Sequence, residues 1–247
     1  MSFSAWRGII GLIRPTLRPG GLEEIIRMLP EGVGIIPLFN NIQRGEESEF
    51  RAVINGYEEK LELLAEQGVD FMHPSGAPPF MMLGYRDEQA LIRRWEKRFK
   101  RPVFTSGMNQ IAALKALGVK RIVGASYFPE KLNRVFGKYF SDAGFDVLAM
   151  EGVDVPFNEV QELSSQSVYS FIKPLWKKHR KQAQVVYMLG SGWRTLDIVE
   201  TMERDFEIPV LQSICAQVWE FESRLNVRAP LQGYGRLMRE FPDFHAP

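Results

Sequence analysis

The residue types with the strongest claim to chemistry stand at the ends of short apolar runs. Val185-Val-Tyr-Met-Leu-Gly-Ser-Gly-Trp-Arg-Thr-Leu-Asp197 reads as a buried strand, a sharp turn and a helix. A turn of Gly190, Ser191 and Gly192 lets backbone approach a small anion with no Cβ in the way. The first amides of a following helix lack intrahelical partners and lie at the positive end of its dipole. The same pattern also serves a plain strand-to-helix connection. A cation at a helix start opposes the dipole, so Arg194 calls for a partner, either Asp197 or a ligand, and Thr195 is placed to cap. His73 lies inside an apolar run; its ordinary pKa near 6.5 suits acid–base work, unless it is a satisfied core residue. Ser191 sits on an elbow-like turn, but the G-x-S-x-G spacing is absent and the only downstream histidine is His245 in the tail, so an oxyanion or carboxylate ligand fits it better than a serine nucleophile. Arg14 and Arg18 follow the first apolar run, where an arginine can grip a carboxylate bidentately.

These residues have to be positioned by the elements around them, and the pattern of the chain says how. Short apolar runs at 7–15, 32–39, 69–73, 102–105, 120–127, 146–150, 185–189 and 209–212 predict strands. Helical spacing predicts helices over 22–29, 46–67, 87–100, 108–117, 130–143, 161–180 with a break near Pro174, 195–206 and 215–225, and a short piece around Leu237. Pro74 to Pro79 reads as a loop. Strands alternating with helices argue an α/β fold with mostly parallel sheets. Three stretches also echo one another in order about 110 residues apart, the signature of two similar lobes. Ile10-Gly-Leu-Ile-Arg-Pro15 matches Val123 to Phe128, Phe71 to Gly76 matches Val185 to Gly190, and Pro102-Val-Phe-Thr-Ser106 matches Pro209 to Ser213. The expected division is 1–106 with 214–247 as one Rossmann-like lobe and 107–213 as the other. Ligands in open α/β sheets bind outside the carboxyl ends of the strands. Two facing lobes would therefore line one cleft with Arg14, Pro15, Thr16, Asn40, Ser75, Gly76, Ala77, Tyr127, Gly190, Ser191 and Gly192.

Composition excludes several function classes. Thirty-one basic residues against 30 acidic ones leave a net charge of +1, which gives no electrostatic case for nucleic acid or an anionic membrane. No apolar run approaches the roughly 20 residues that span a bilayer, and Met1 to Arg7 lacks the features of a signal peptide. The one cysteine, Cys215, rules out an internal disulfide and cysteine-based metal sites; it reads as a small core hydrophobe. The three histidines make no metal-spaced cluster. A cytoplasmic, metal-free protein is expected.

The run Ala112-Ala-Leu-Lys-Ala-Leu-Gly-Val-Lys-Arg-Ile-Val-Gly-Ala-Ser-Tyr127, with Pro129-Glu-Lys-Leu-Asn133, Ala143-Gly-Phe-Asp-Val147, Arg194 to Asp197, Ile208-Pro-Val210 and Gly233-Tyr-Gly-Arg-Leu237, resembles the aspartate/glutamate racemase superfamily. The branch it resembles holds arylmalonate decarboxylase and maleate cis-trans isomerase. The resemblance implies two pseudo-symmetric lobes, no cofactor, and chemistry on a small carboxylate through an enolate-like intermediate. It also implies a carboxylate cradle of turn amides, turn hydroxyls and a tyrosine, which maps to Tyr127, Ser126, Ser191 and the amides around Gly76 and Gly190. Members of this superfamily carry an acid–base cysteine at one or both pseudo-equivalent strand ends. Here those places align with Gly76 and Gly190, so neither thiol is present. An amino-acid racemase, which needs two such groups, is discounted.

The expectation is a lyase or isomerase acting on a malonate- or maleate-like acid. Tyr127, His73 or a held water would supply the proton, and Pro78 to Met82 would form an apolar, poorly solvated wall suited to decarboxylation. The alternatives are a hydrolase or hydratase using bound water on the same scaffold, and a carboxylate-binding protein without catalysis. A small-molecule carboxylate is the expected partner; the sequence leaves a homo-oligomer open.

Overall fold

In the computed structural model of the protein, residues 4–245 are described. Met1 to Phe3, where the signal-peptide reading begins, and the last two residues of the tail lie outside them. The first half of the chain runs β1 (Gly8–Arg14), α1 (Gly20–Met28), β2 (Val33–Phe39), α2 (Glu47–Glu66), β3 (Phe71–Pro74), α3 (Ala77–Met81), α4 (Tyr85–Phe99) and α5 (Ser106–Ala116). The second runs β4 (Arg121–Ser126), α6 (Glu130–Asp142), β5 (Asp146–Gly152), α7 (Ser165–His179), β6 (Val185–Met188), α8 (Val199–Phe206), β7 (Val210–Gln212), α9 (Ser213–Arg224) and α10 (Arg236–Glu240).

Two parallel sheets result. Their orders are β2-β1-β3 and β5-β4-β6-β7. In the first, a single parallel bridge from Met72 to Val103 stands where the second has β7. The expected strand over 102–105 thus shrinks to one bridge, held by Met72 N–H to Pro102 O (2.9 Å) and Phe104 N–H to Met72 O (3.2 Å). With that bridge counted, the two sheets share one order, β1 answering to β4 and β3 to β6. This is the two-lobed arrangement that the sequence echo implies.

The central strands are apolar on both faces because helices cover both. Ile10, Leu12 and Ile13 of β1 are buried, as are all four residues of β6. Helix α2 shows how local signals agree with packing. Glu46 and Glu49 form a capping box at its start, Gly68 follows its end at φ +70°, and Phe50, Tyr57, Leu61 and Leu64 bury one face. α5 and α9 pack on each other. They start at the equivalent places after Val103 and β7, so the two sheets meet through this pair.

Three local expectations fail for identifiable reasons. The 74–79 loop contains α3, because Pro78 and Pro79 fall in the first turn, where a missing N–H loses nothing. No break occurs at Pro174: α7 runs through it, held by the buried face of Val168, Ile172 and Leu175. The helix after the Gly190 turn does not begin at the turn. A 3-10 segment (Leu196–Ile198) intervenes and α8 starts at Val199. The turn amides therefore do not belong to that helix's N-terminus, and the dipole argument for them falls away. Thr195 makes no side-chain cap there, and its hydroxyl is buried without a partner.

Candidate functional site

The ends of β1, β3, β4 and β6 face one small cavity of about 50 Å³, with the first turns of α5 and α9 closing its floor. Sequence makes the turns sharp. Gly76 (φ +106°) follows β3 and Gly190 (φ +98°) follows β6, both in backbone conformations that L side chains rarely adopt. The two turns are pinned identically: Gly76 N–H donates to Ser106 Oγ and Gly190 N–H to Ser213 Oγ, each at 3.0 Å. Neither turn has room for a side chain. A Cβ on Gly190 would stand 2.6 Å from the Tyr127 ring, and one on Gly76 would stand 2.9 Å from Pro15 Cβ and 3.0 Å from the Tyr57 hydroxyl.

Arg14 ends β1 and lines the cavity. It is 2% exposed, yet its Nε and Nη1 have no hydrogen-bond partner and it forms no ion pair among the described residues. Burial pulls its pKa down, opposed by nearby Tyr127, Tyr57 and Glu24. A guanidinium stays protonated even so, so the cavity wall holds a positive charge with no ion-pair partner among the described residues. Across the cavity, at the place in the second lobe that answers to Arg14, stands Tyr127. Its oxygen accepts from Gly192 N–H (3.0 Å), and no acceptor among the described residues takes its own proton. Burial raises its pKa, which keeps that proton on the phenol. Pro15, Thr16, Gly76, Ala77, Gly190, Ser191 and Gly192 also line the cavity. The amides of Gly76, Gly190 and Gly192 are used internally, and those of Ala77 and Ser191 have no acceptor among the described residues.

Four expected residues lie behind the wall. His73 is fully buried between Phe104 and Phe221. Its Nδ1 contacts Phe104 O (2.8 Å) and its Nε2 faces Ser106 Oγ (3.3 Å), so it reaches the cavity only through that serine. Burial lowers its pKa to about 3, which leaves a neutral ring and a weak base. Ser75 is buried; its carbonyl accepts from the Tyr57 hydroxyl (2.5 Å). Asn40 lies beside Tyr57. Ser126 donates to Asn133 Oδ1 (2.6 Å) and accepts from Phe128 N–H (3.0 Å), fixing the β4–α6 turn.

Of the other residues singled out, Arg18 lines the cavity, donates to Phe157 O (2.6 Å) and stacks on the Phe157 ring. Arg194 is exposed and faces Glu23 at 4.0 Å, while Asp197 accepts instead from Ser165 (2.7 Å). The apolar wall is also made differently from the expectation. Pro78 and Pro79 belong to it, Phe80 and Met81 pack away into the core, and Ile42, Phe50, Phe128 and Phe157 complete it. Tyr127, Phe128 and Phe157 also border a surface groove of about 1000 Å³. Cys215 is buried against Tyr234 O outside the cavity, its thiol pKa raised by burial.

The sequence reading missed Ser106, Gln110, Ser213 and Gln217, all cavity-lining. Gln110 Nε2 donates to Ser213 Oγ (3.3 Å), and Gln217 Nε2 donates to Ser106 Oγ (3.5 Å), so α5 and α9 each bond the first residue of the other, in two contacts related by the pseudo-two-fold. The signal was available: the third echo, ending at Ser106 and Ser213, continues four residues on with glutamine in both copies. Among the described residues no group of three or more His, Cys, Asp or Glu could hold a metal ion, and no helix is long and apolar enough to cross a membrane.

The same architecture recurs in solved structures. Maleate isomerase from Pseudomonas putida S16, in a variant with maleate, superposes with a TM-score of 0.86 at 16% identity, covering 94% of this chain and 97% of that one. Maleate cis-trans isomerase from Nocardia farcinica, in a variant with a covalently bound succinylcysteine intermediate, gives 0.84 at 18% identity, covering 94% and 98%. A liganded double variant of arylmalonate decarboxylase gives 0.84 at 19% identity, covering 94% and 99%. At such identities these likenesses establish the fold alone. No curated protein matches the chain. The model of one family, arylmalonate decarboxylase, matches residues 25–238. That span takes in the whole second sheet, β2 and β3 of the first, both glycine turns and the crossed serine–glutamine pairs, with β1 and Arg14 preceding it, and the chain belongs to the arylmalonate decarboxylase family.

Proposed function

We propose that this protein is a cofactor-independent lyase or isomerase that binds a small malonate- or maleate-like acid between the two glycine turns and stabilises an enolate. The observation that carries the reading is Arg14. A buried guanidinium with unpaired donors is unfavourable unless an anion completes it, and the cavity is where that anion can sit. The free amides of Ala77 and Ser191 are equivalent across the pseudo-two-fold and add neutral donors. In decarboxylation, the electron pair of the breaking C–C bond moves into the remaining carboxylate as CO₂ leaves, giving an enediolate held by Arg14 and these amides. The Tyr127 hydroxyl, or a water in its place, then returns a proton to the α-carbon. The apolar wall of Pro78, Pro79, Phe50 and Phe157 excludes water and strengthens each of these interactions.

The hydrolase or hydratase alternative would need a base to activate its bound water, and His73, behind Ser106, is the imidazole nearest the cavity. The depressed pKa of His73 makes that base too weak near neutral pH, which favours the enolate reading. We also propose that the lobes divide at α5 and α9, residues 107–213 forming the second. The functional test is a thermal-shift and turnover screen of small mono- and dicarboxylates on wild type and Tyr127→Phe. Product formation that collapses in the variant supports the proposal; stabilisation without any turnover favours a binding protein.

A further inference from the structure

Gln110 and Gln217 hold equivalent places, four residues into α5 and α9, and differ in one respect. Gln110 is satisfied at both ends: Nε2 donates to Ser213 Oγ, and Oε1 accepts from the Tyr187 hydroxyl. Gln217 donates from Nε2 to Ser75 Oγ and Ser106 Oγ, each at 3.5 Å. Its Oε1 has no partner, although the residue is only 2% exposed. The cause is one break in the pseudo-symmetry. β3 carries His73 where β6 carries Tyr187, and the shorter imidazole brings no hydroxyl to Gln217.

The protons around His73 favour one orientation of the Gln217 amide. Phe104 O only accepts, so His73 Nδ1 bears the hydrogen and Nε2 of the neutral ring is an acceptor. Ser106 must then give its proton to His73, and its oxygen receives Gly76 N–H and Gln217 Nε2. A flipped amide would set its oxygen against Ser106 Oγ, whose proton is already given to His73, and would leave Nε2 without an acceptor.

Gln217 lines the same cavity as Arg14. The cavity therefore offers unmet donors from Arg14 and one unmet acceptor from Gln217. An unsubstituted malonate or maleate carries only acceptors when ionised and answers only the first. We propose that the ligand of this cavity is a hydroxy acid, with Gln217 Oε1 receiving its hydroxyl proton while Arg14 takes its carboxylate. An amino acid is disfavoured, because its ammonium would bring another cation to Arg14 and Arg18. This inference rests on the carboxylate reading above and narrows it.

The test is calorimetric titration with ligand pairs matched in size, hydroxymalonate against methylmalonate and lactate against isobutyrate, with aminomalonate as a fifth ligand. Wild type should favour the hydroxy member of each pair by about tenfold or more, because the other leaves a buried carbonyl unpaired. Aminomalonate should bind more weakly than hydroxymalonate. In Gln217→Met, with folding checked by thermal unfolding, the preference should fall to parity; Gln217→Leu is the second variant should the first not fold. Parity in wild type overturns the inference and leaves the proposed function standing, as does a preference that survives both substitutions. Absence of binding by every ligand overturns both.

Discussion

Replacing Arg14 with methionine should stabilise the free protein and abolish its response to carboxylates. The guanidinium is buried, forms no ion pair and has two unpaired nitrogens. The acid whose charge acts on it, Glu24, is itself buried and has its pKa raised to about 7, chiefly by desolvation, so at neutral pH it compensates Arg14 only in part. Replacing even a buried ion pair with apolar groups of similar volume is often neutral or stabilising by about 1–4 kcal/mol, and a buried cation without an ion pair has less attraction to lose. At about 2–4 °C per kcal/mol for a chain of this size, the melting temperature should rise by roughly 2–16 °C. A ligand at a hundred times its Kd adds about 2.7 kcal/mol to the wild type, and it should add nothing to the variant. Differential scanning fluorimetry with and without malonate reads both effects. Arg14→Met melting below the wild type without ligand would refute the reasoning, since it would mean that the arginine is a structural cation. A malonate shift retained by the variant would refute it equally.

Three further outcomes follow from the same geometry. Tyr127→Phe removes both the acceptor for Gly192 N–H and the candidate proton donor, and turnover should fall by about 10²–10⁴ while the fold persists, as steady-state kinetics and circular dichroism would report. Gly190→Cys places a Cβ against the Tyr127 ring at a φ of +98°, and should cost about 1–3 kcal/mol; if Tyr127→Ala in the same chain relieves none of this in urea titrations, the clash is not the cause. Glu88, fully buried and bonded by Thr105 and Tyr139, has its pKa raised to about 7, chiefly by burial. A raised acid pKa gives stability that is present below the unfolded value and lost as pH rises through the folded one. Between about pH 4.5 and 7 it should account for roughly 3 kcal/mol of declining stability, and Glu88→Gln should flatten that part of the pH profile.

The fold was legible because its signals are local and repeated. Apolar runs on both faces mark β1 and β6 as central strands, and the echo between Ile10–Pro15 and Val123–Phe128 marks the two lobes. The cavity's rim was legible for the same reason: Arg14, Gly76, Tyr127 and Gly190 all end strands. Its floor was legible only through the paired glutamines that continue the third echo, because Ser106, Gln110, Ser213 and Gln217 lie on helices whose burial on nearly all sides hides any polar stripe. The segment after the Gly190 turn departs from its local pattern. Spacing suggested a helix beginning at Thr195, whereas the chain makes a 3-10 segment before α8. Pro174 shows the reverse, a local breaker outweighed by a buried helix face.

The central claim is that an anionic intermediate forms beside Arg14 and is protonated at carbon. The direct measurement is CO₂ release from malonate-class acids in deuterium oxide, with the product's α-carbon examined by proton NMR. The account predicts release by the wild type with one solvent deuterium at that carbon, and neither signal from Arg14→Met. Release that persists in Arg14→Met, or a product without solvent deuterium at the α-carbon, would contradict it.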